Sequence, residues 1–167
     1  MFTSFKYVAV LSLILITLAG CNHLSSEDAM KTAQEFKEAQ FNVERYHYQD
    51  GITPELMNEV RNKLSPFQTE DFLEKQTKNR ILILPLLVAW SQKSTLSLEE
   101  LKFEPISQDK ERKIINLSYT GTLVLDEEGE KINLSGVMSL KNTNKSWKVT
   151  YDNFNAKDLF NLAMERK

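Results

Sequence analysis

The chain has 167 residues, 21 of them Lys or Arg and 23 Asp or Glu, for a formal net charge of −2. Such a mixed, near-neutral balance excludes a broad nucleic-acid patch and an acidic disordered tail. A single cysteine excludes an internal disulfide framework and any Cys-based zinc site, and two histidines leave little for a metal.

The first element is an export signal. Lys6 supplies a positive start, and residues 7–18 form an uncharged, mostly apolar run. Crossing a bilayer as a helix takes about 20 apolar residues, so this run is too short to span and reads as a secretory signal peptide over residues 1–20. Removing it leaves 147 residues with a net charge of −3, a length that suits one domain of roughly 100–150 residues.

The signal closes on Leu18-Ala19-Gly20-Cys21, which resembles the lipobox of bacterial lipoproteins. The resemblance implies cleavage before Cys21, acylation of its thiol with diacylglycerol, and further palmitate-type acylation of the new N-terminus. Leu18, Ala19 and Gly20 fit the apolar and small subsites such a protease needs, and Cys21 is the strong nucleophile beside the cut. Two or three acyl chains, at about 0.8 kcal/mol per buried methylene, make a stable anchor where one chain is marginal. Residues 21–26 then read as a polar tether after the lipidated cysteine, and 27–167 as the folded domain. The expected location is the extracytoplasmic face of the cell membrane, and the expected lipid partner is the bilayer that holds Cys21.

In the mature chain the periodicity changes once. Ser25 and Ser26 before Glu27 and Asp28 predict a helix start. Ala29, Ala33, Phe36, Val43 and Tyr46 or His47 continue it to about Gln49, before Gly51. Thr53-Pro54-Glu55 starts a second helix with Leu56, Val60 and Leu64 on one side, and Pro66 breaks it. Thr69-Glu70-Asp71 opens a third, to about Lys78. Residues 81–90, the most apolar run of the mature chain, read as a buried bend at Pro85 leading into a short segment.

From Ser97 the period is two. Leu101 and Phe103 alternate before Pro105. Ile115, Leu117, Tyr119, Leu123 and Leu125 share one face, as do Ile132, Leu134, Met138 and Leu140, and then Trp147, Val149 and Tyr151. Residues 126–129 and 141–144 carry turn chemistry. A last helix is expected after Asn155, with Ala156, Leu159, Phe160 and Ala163 on one side. The pattern predicts an α+β domain whose N-terminal helices pack on a curved antiparallel meander sheet.

A long first helix, shorter helices and a sheet ending in Trp147-Lys148-Val149-Thr150, together with Asn79-Arg80, Pro85 and Tyr119-Thr120-Gly121, resembles the nuclear-transport-factor-2-like cone fold. Small lipoproteins of Gram-positive bacteria are similar in layout. The resemblance implies a cone-like sheet that holds a catalytic or ligand pocket in some members and only mediates binding in others.

Chemistry-bearing residues are sparse. Asp152 and Asp158 are expected at the end of the last strand, an edge position, and no pair of titratable groups is expected on the buried sheet face, so no catalytic residue is assigned. His47, between Tyr46 and Tyr48 and near Asp50, is the best counter-candidate. Residues 126–130 are acidic but lack calcium-loop spacing, so no metal or cofactor is expected. Trp90, Tyr119 and Trp147 could line a cavity, although filling the core is the plainer role. Three Asn-x-Ser triplets are chance matches behind a bacterial export signal.

The expected function is a membrane-anchored, non-catalytic binding domain in the bacterial envelope, with an envelope protein or wall component as partner and no nucleic acid. The alternatives are a cavity protein that binds, isomerises or dehydrates a small apolar ligand, and an inhibitor or immunity lipoprotein.

Overall fold

The computed structural model describes residues 25–44, 51–125, 129–144 and 146–165. The signal segment, the lipobox, Cys21, the start of the tether, Tyr46, His47, Tyr48 and Asp50 lie outside the described residues, as do residues 126–128 of the acidic turn.

Helix α1 (Ser26–Phe41) starts where the serines place it: the Ser25 side chain accepts the Glu27 N–H at 3.1 Å, and Glu27 and Asp28 occupy the positive first turn. It ends eight residues before Gln49. Asn42 adopts extended backbone, and its Oδ1 accepts the Leu98 N–H at 2.8 Å. Val43, expected in the helix, instead bridges Leu96 through bonds of 2.8 and 3.0 Å. The chain therefore leaves the helix to pair with the sheet, and the two main-chain bonds between Val43 and Leu96 take the place of further helical ones.

Helix α2 (Pro54–Leu64) has Thr53 as its cap and Pro54 in the first turn, and it passes into a 3-10 turn at Ser65–Phe67. Helix α3 (Glu70–Lys78) follows, with Phe72, Leu73 and Gln76 buried. Pro85 bends nothing. It lies in the first turn of α4 (Leu84–Gln92), where its missing N–H is no loss, and the apolar run is buried nearly all round.

The meander comprises β1 (Leu96–Asp109), β2 (Ile114–Leu125), β3 (Glu130–Thr143) and β4 (Ser146–Phe154), antiparallel in the order β1-β2-β3-β4. Helix α5 (Ala156–Met164) closes the chain. Pro105 sits in edge strand β1, where a missing donor costs no ladder bond, and the register slips beside it, leaving Ile106 57% exposed. Ser91 and Gln92 of α4 donate to the Leu162 and Glu165 carbonyls at 2.7–2.8 Å, which pins the end of α5. Leu159 of that helix is buried, whereas Phe160, expected on the packed side, is exposed.

One face of the sheet carries the core. Ile115, Leu117, Tyr119 and Leu123 of β2 alternate inward with Ile132, Leu134, Met138 and Leu140 of β3, and Ala29, Ala33, Phe36 and Phe41 of α1 cover them. The architecture is α+β, as the periodicity predicts. No described helix is long and apolar enough to cross a membrane.

Candidate functional site

The chemistry of the covered face departs from expectation at its centre. Lys37 of α1 lies on the same side as Ala33 and Phe41, four residues from each, so the helix carries its ammonium into the core. Its side chain is 0% exposed, as is that of Asp152 on β4. Lys37 Nζ donates to Asp152 Oδ2 at 2.6 Å and to Gln40 Oε1 at 3.1 Å, and the Tyr119 hydroxyl donates to Asp152 Oδ1 at 2.7 Å. Four aromatic rings surround the ammonium: Nζ lies 4.5 Å from the ring centre of Tyr119, 4.8 Å from Phe154, 5.1 Å from Phe41 and 5.6 Å from Phe36. Within about 6 Å these ring faces attract the cation and replace part of its lost hydration.

This corrects two expectations. Asp152 is on an edge strand, yet it points into the core, and the covered face does hold titratable groups within bonding distance of one another. The cause is a β-bulge. Ser139 pairs with Tyr151 and Leu140 with Val149, so Thr150 is an extra residue on β4. Trp147 and Val149 face inward before it. After it the phase reverses, leaving Tyr151 42% exposed and turning Asp152 in. The Thr150 hydroxyl donates to the Ser139 carbonyl across the bulge at 3.2 Å.

Gly136 of β3 makes room for the cluster. It pairs with Tyr119 and Phe154, and a Cβ there would sit 2.6 Å from the Tyr119 hydroxyl and 2.5 Å from the Asn153 carbonyl oxygen. The Tyr119 ring thus lies where the side chain of any larger residue would be, and the ring of Phe103 on β1 sits 5.7 Å from it at a tilt of 47°.

Burial lowers the pKa of Lys37 from the usual lysine value, against the opposing pull of Asp152. Burial, then the charge and hydrogen bond of Asp152, pushes the Tyr119 phenol far above its ordinary range. The cluster has a base, an acid and a hydroxyl, but each group is committed to another and both charged side chains are fully enclosed.

The three aromatic residues expected to line a cavity lie apart in role. Tyr119 belongs to the ion cluster. Trp147, 6% exposed, lines an open groove of about 760 Å³ with Asp28, Lys31 and Glu35 of α1, Phe67, Lys113 and Lys148. Lys148 donates to the Pro66 carbonyl at the rim of that groove. Trp90, on α4, is half-buried and lines neither this groove, nor a smaller cleft beside α5, nor one beside α3. Asp158 is exposed at the α5 cleft. Among the described residues no group of three His, Cys, Asp or Glu side chains is placed to hold a metal.

Lys37, Gln40 and Gly136 were not singled out by sequence reasoning. Lys37 and Gln40 had a signal: both interrupt the Ala29–Ala33–Phe36 stripe at positions that helical spacing assigns to the inner face.

The sequence matches no protein family model. It matches no curated protein. Among solved structures, the fold is similar to that of a periplasmic fragment of TraM, with TM-score 0.55 and 13% identity over 78% of this chain and 96% of that one. The putative transfer protein TraH from the Gram-positive conjugative plasmid pIP501 superposes with TM-score 0.47 and 11% identity over 78% and 93%. The likeness to the TraM fragment establishes a shared fold.

Proposed function

We propose that the protein is a lipid-anchored envelope protein whose domain is a non-catalytic binding module on the extracytoplasmic side of the membrane. The observation that carries the module reading is the enclosure of Lys37 and Asp152. An acid–base pair that serves a substrate must reach it, and here both side chains are 0% exposed and bonded inside a ring of aromatic groups. The cluster instead ties α1 to β4 across 115 positions of chain, the work of a latch.

The anchor rests on Leu18-Ala19-Gly20-Cys21 at the end of the signal segment. The extracytoplasmic placement draws further support from the shared fold with a protein fragment described as periplasmic. The cone-like, nuclear-transport-factor-2-like reading of the architecture belongs to the same proposal, supported by helices packed on the inner face of a bulged meander.

Two measurements on intact cells test it. In the wild type the protein should sediment with membranes and carry an acylated N-terminal cysteine by mass spectrometry, and Cys21→Ser should leave an uncleaved chain without lipid. Short-arm cross-linking in the same cells should give one discrete adduct for the wild type, weakened when Cys21→Ser removes the anchor. An unlipidated wild-type N-terminus overturns the anchor, and a monomer-only pattern overturns the binding module.

A further inference from the structure

The hairpin tips at the two ends of the sheet differ in charge. The β1–β2 turn holds Lys110, Arg112 and Lys113 against Asp109 and Glu111. Residues 141–148 of the β3–β4 hairpin carry only basic charge, Lys141 and Lys148 among it. The Asn142 N–H donates to the Lys113 carbonyl at 2.9 Å, so both tips lie at one end. The β2–β3 connection at the other end has Asp126, Glu127, Glu128 and Glu130 against Lys131 alone.

Helix α1 starts at the basic end. Its cap, Ser25, lines one groove with Lys113, Asn142 and Ser146. The helix finishes at the acidic end, where Asn42 bonds Leu98 and Leu96 pairs with Leu125, the last residue of β2. Its 16 residues separate the two ends by about 24 Å. From Cys21 to Ser25 is four steps of chain, which span at most about 14 Å. A lipid on Cys21 therefore tethers the domain by its basic end, yet leaves it free to stand on that end or lie on its side. Charge decides between the two.

We propose that the domain stands on this end against an anionic phospholipid surface, with Lys110, Arg112, Lys113 and Lys141 at the headgroup phosphates. All four are exposed. The inference rests on the lipid-anchor reading and adds the orientation and the lipid class. Glu27 and Asp28 belong to the same end, and Arg112 lies 3.8 Å from Asp109, so the basic surplus is small. It would not hold a free protein on a membrane. A tethered domain needs less, because the anchor already supplies the local concentration. The surface potential fades within about 8 Å at physiological salt, so it acts on whichever end touches: the basic tips are drawn in, and the acidic tip is repelled.

The test uses the acylated protein purified from membranes, with a fluorophore on one introduced cysteine. Ser146→Cys marks the basic end and Lys131→Cys the acidic end, while lipid closes the native thiol of Cys21. In vesicles of phosphatidylglycerol and phosphatidylcholine with a headgroup nitroxide, the label at 146 should be quenched at least about threefold more than the label at 131. That contrast should fall toward one in pure phosphatidylcholine, at high salt, and in Lys110→Glu with Lys141→Glu. The lipid comparison needs no charge variant, so it decides the matter even if the double variant misfolds. Equal quenching of both labels in anionic vesicles, or a contrast unchanged without anionic lipid, overturns the proposal. An acylated protein with that result rejects only this orientation, whereas a mature protein without acyl mass, whose Cys21 takes the label, rejects the anchor itself.

Discussion

Strands β2 and β4 lie two places apart in one sheet and solve the same problem in opposite ways. Strand β2 keeps strict alternation from Ile115 through Leu117 to Tyr119, and Ile115 and Leu117 face the apolar core. Strand β4 begins likewise with Trp147 and Val149, then changes phase at Thr150 and delivers a carboxylate to the same core. The first half of β4 is held by burial. The second is held by an ion pair, a phenol and four aromatic rings whose geometry must all agree. Such clusters tolerate the loss of both charges better than the loss of one.

The largest effect should come from splitting the pair. Asp152→Ala or Lys37→Ala alone should cost about 3–5 kcal/mol in denaturant melts, because each leaves a buried, unmatched partner. The double change Lys37→Met with Asp152→Leu should recover most of that loss. Double-variant stability no better than the worse single variant would show that shape, rather than charge, holds this half of β4.

The apolar half breaks by a different route. Trp147→Ala should cost roughly 3–5 kcal/mol through lost burial and the cavity left behind. A loss below about 1 kcal/mol would mean that the indole belongs to the open groove beside Lys148 and contributes little to the core.

Tyr119 joins the halves, and Tyr119→Phe should cost about 1.5–3 kcal/mol, the range for a hydrogen bond to a charged group. Its pH dependence has a definite sign. The folded phenol titrates above the unfolded value of about 10, so its contribution is fully present below that pH and fades as the unfolded chain ionises above it. Lys37 acts in the opposite sense. Its folded pKa is lowered, so over the window between that value and about 10.4 the native state gives up the proton first and stability rises with pH. The advantage of the wild type over Tyr119→Phe, measured by melts across the alkaline range, should therefore shrink only above about pH 10.

Smaller still is the effect of Gly136→Ala, about 1–3 kcal/mol from crowding the Tyr119 hydroxyl and the Asn153 carbonyl. Ile106→Thr, on the bulged-out part of edge strand β1, should stay within about 0.5 kcal/mol, as exposed substitutions do. A larger loss there would place a packed surface where the structure has solvent.

Much of this architecture is legible in the chain because single residues punctuate it. Thr53-Pro54 and Thr69-Glu70 mark helix starts within a residue, and alternation in β2 and β3 identifies the covered face. Pro85 is visible, but as a break, since a proline alone does not say whether a helix precedes or follows it. Val43 keeps helical spacing with Phe36, and its departure depends on a contact with Leu96 more than fifty residues away.

The ion cluster is harder to read for the same reason. A bulge leaves no local mark at Thr150, so period-two reading places Tyr151 inward and Asp152 outward. Lys37 in an apolar stripe is an anomaly that sequence alone resolves only once its partner is known to arrive from β4. His47 and Cys21 lie outside the described residues, so chemistry at those positions stands on sequence alone.

Amine acylation followed by peptide mass spectrometry reads the enclosure of the Lys37–Asp152 latch itself. Exposed Lys31, on the same helix, should react within the first sampling, whereas Lys37 should stay unmodified under native conditions and react only at the rate at which the whole domain opens in denaturant. Rapid native labelling of Lys37, unchanged by denaturant below the unfolding transition, would show an accessible pair instead of a latch, because a lysine that reagents reach freely is one that a substrate could reach too.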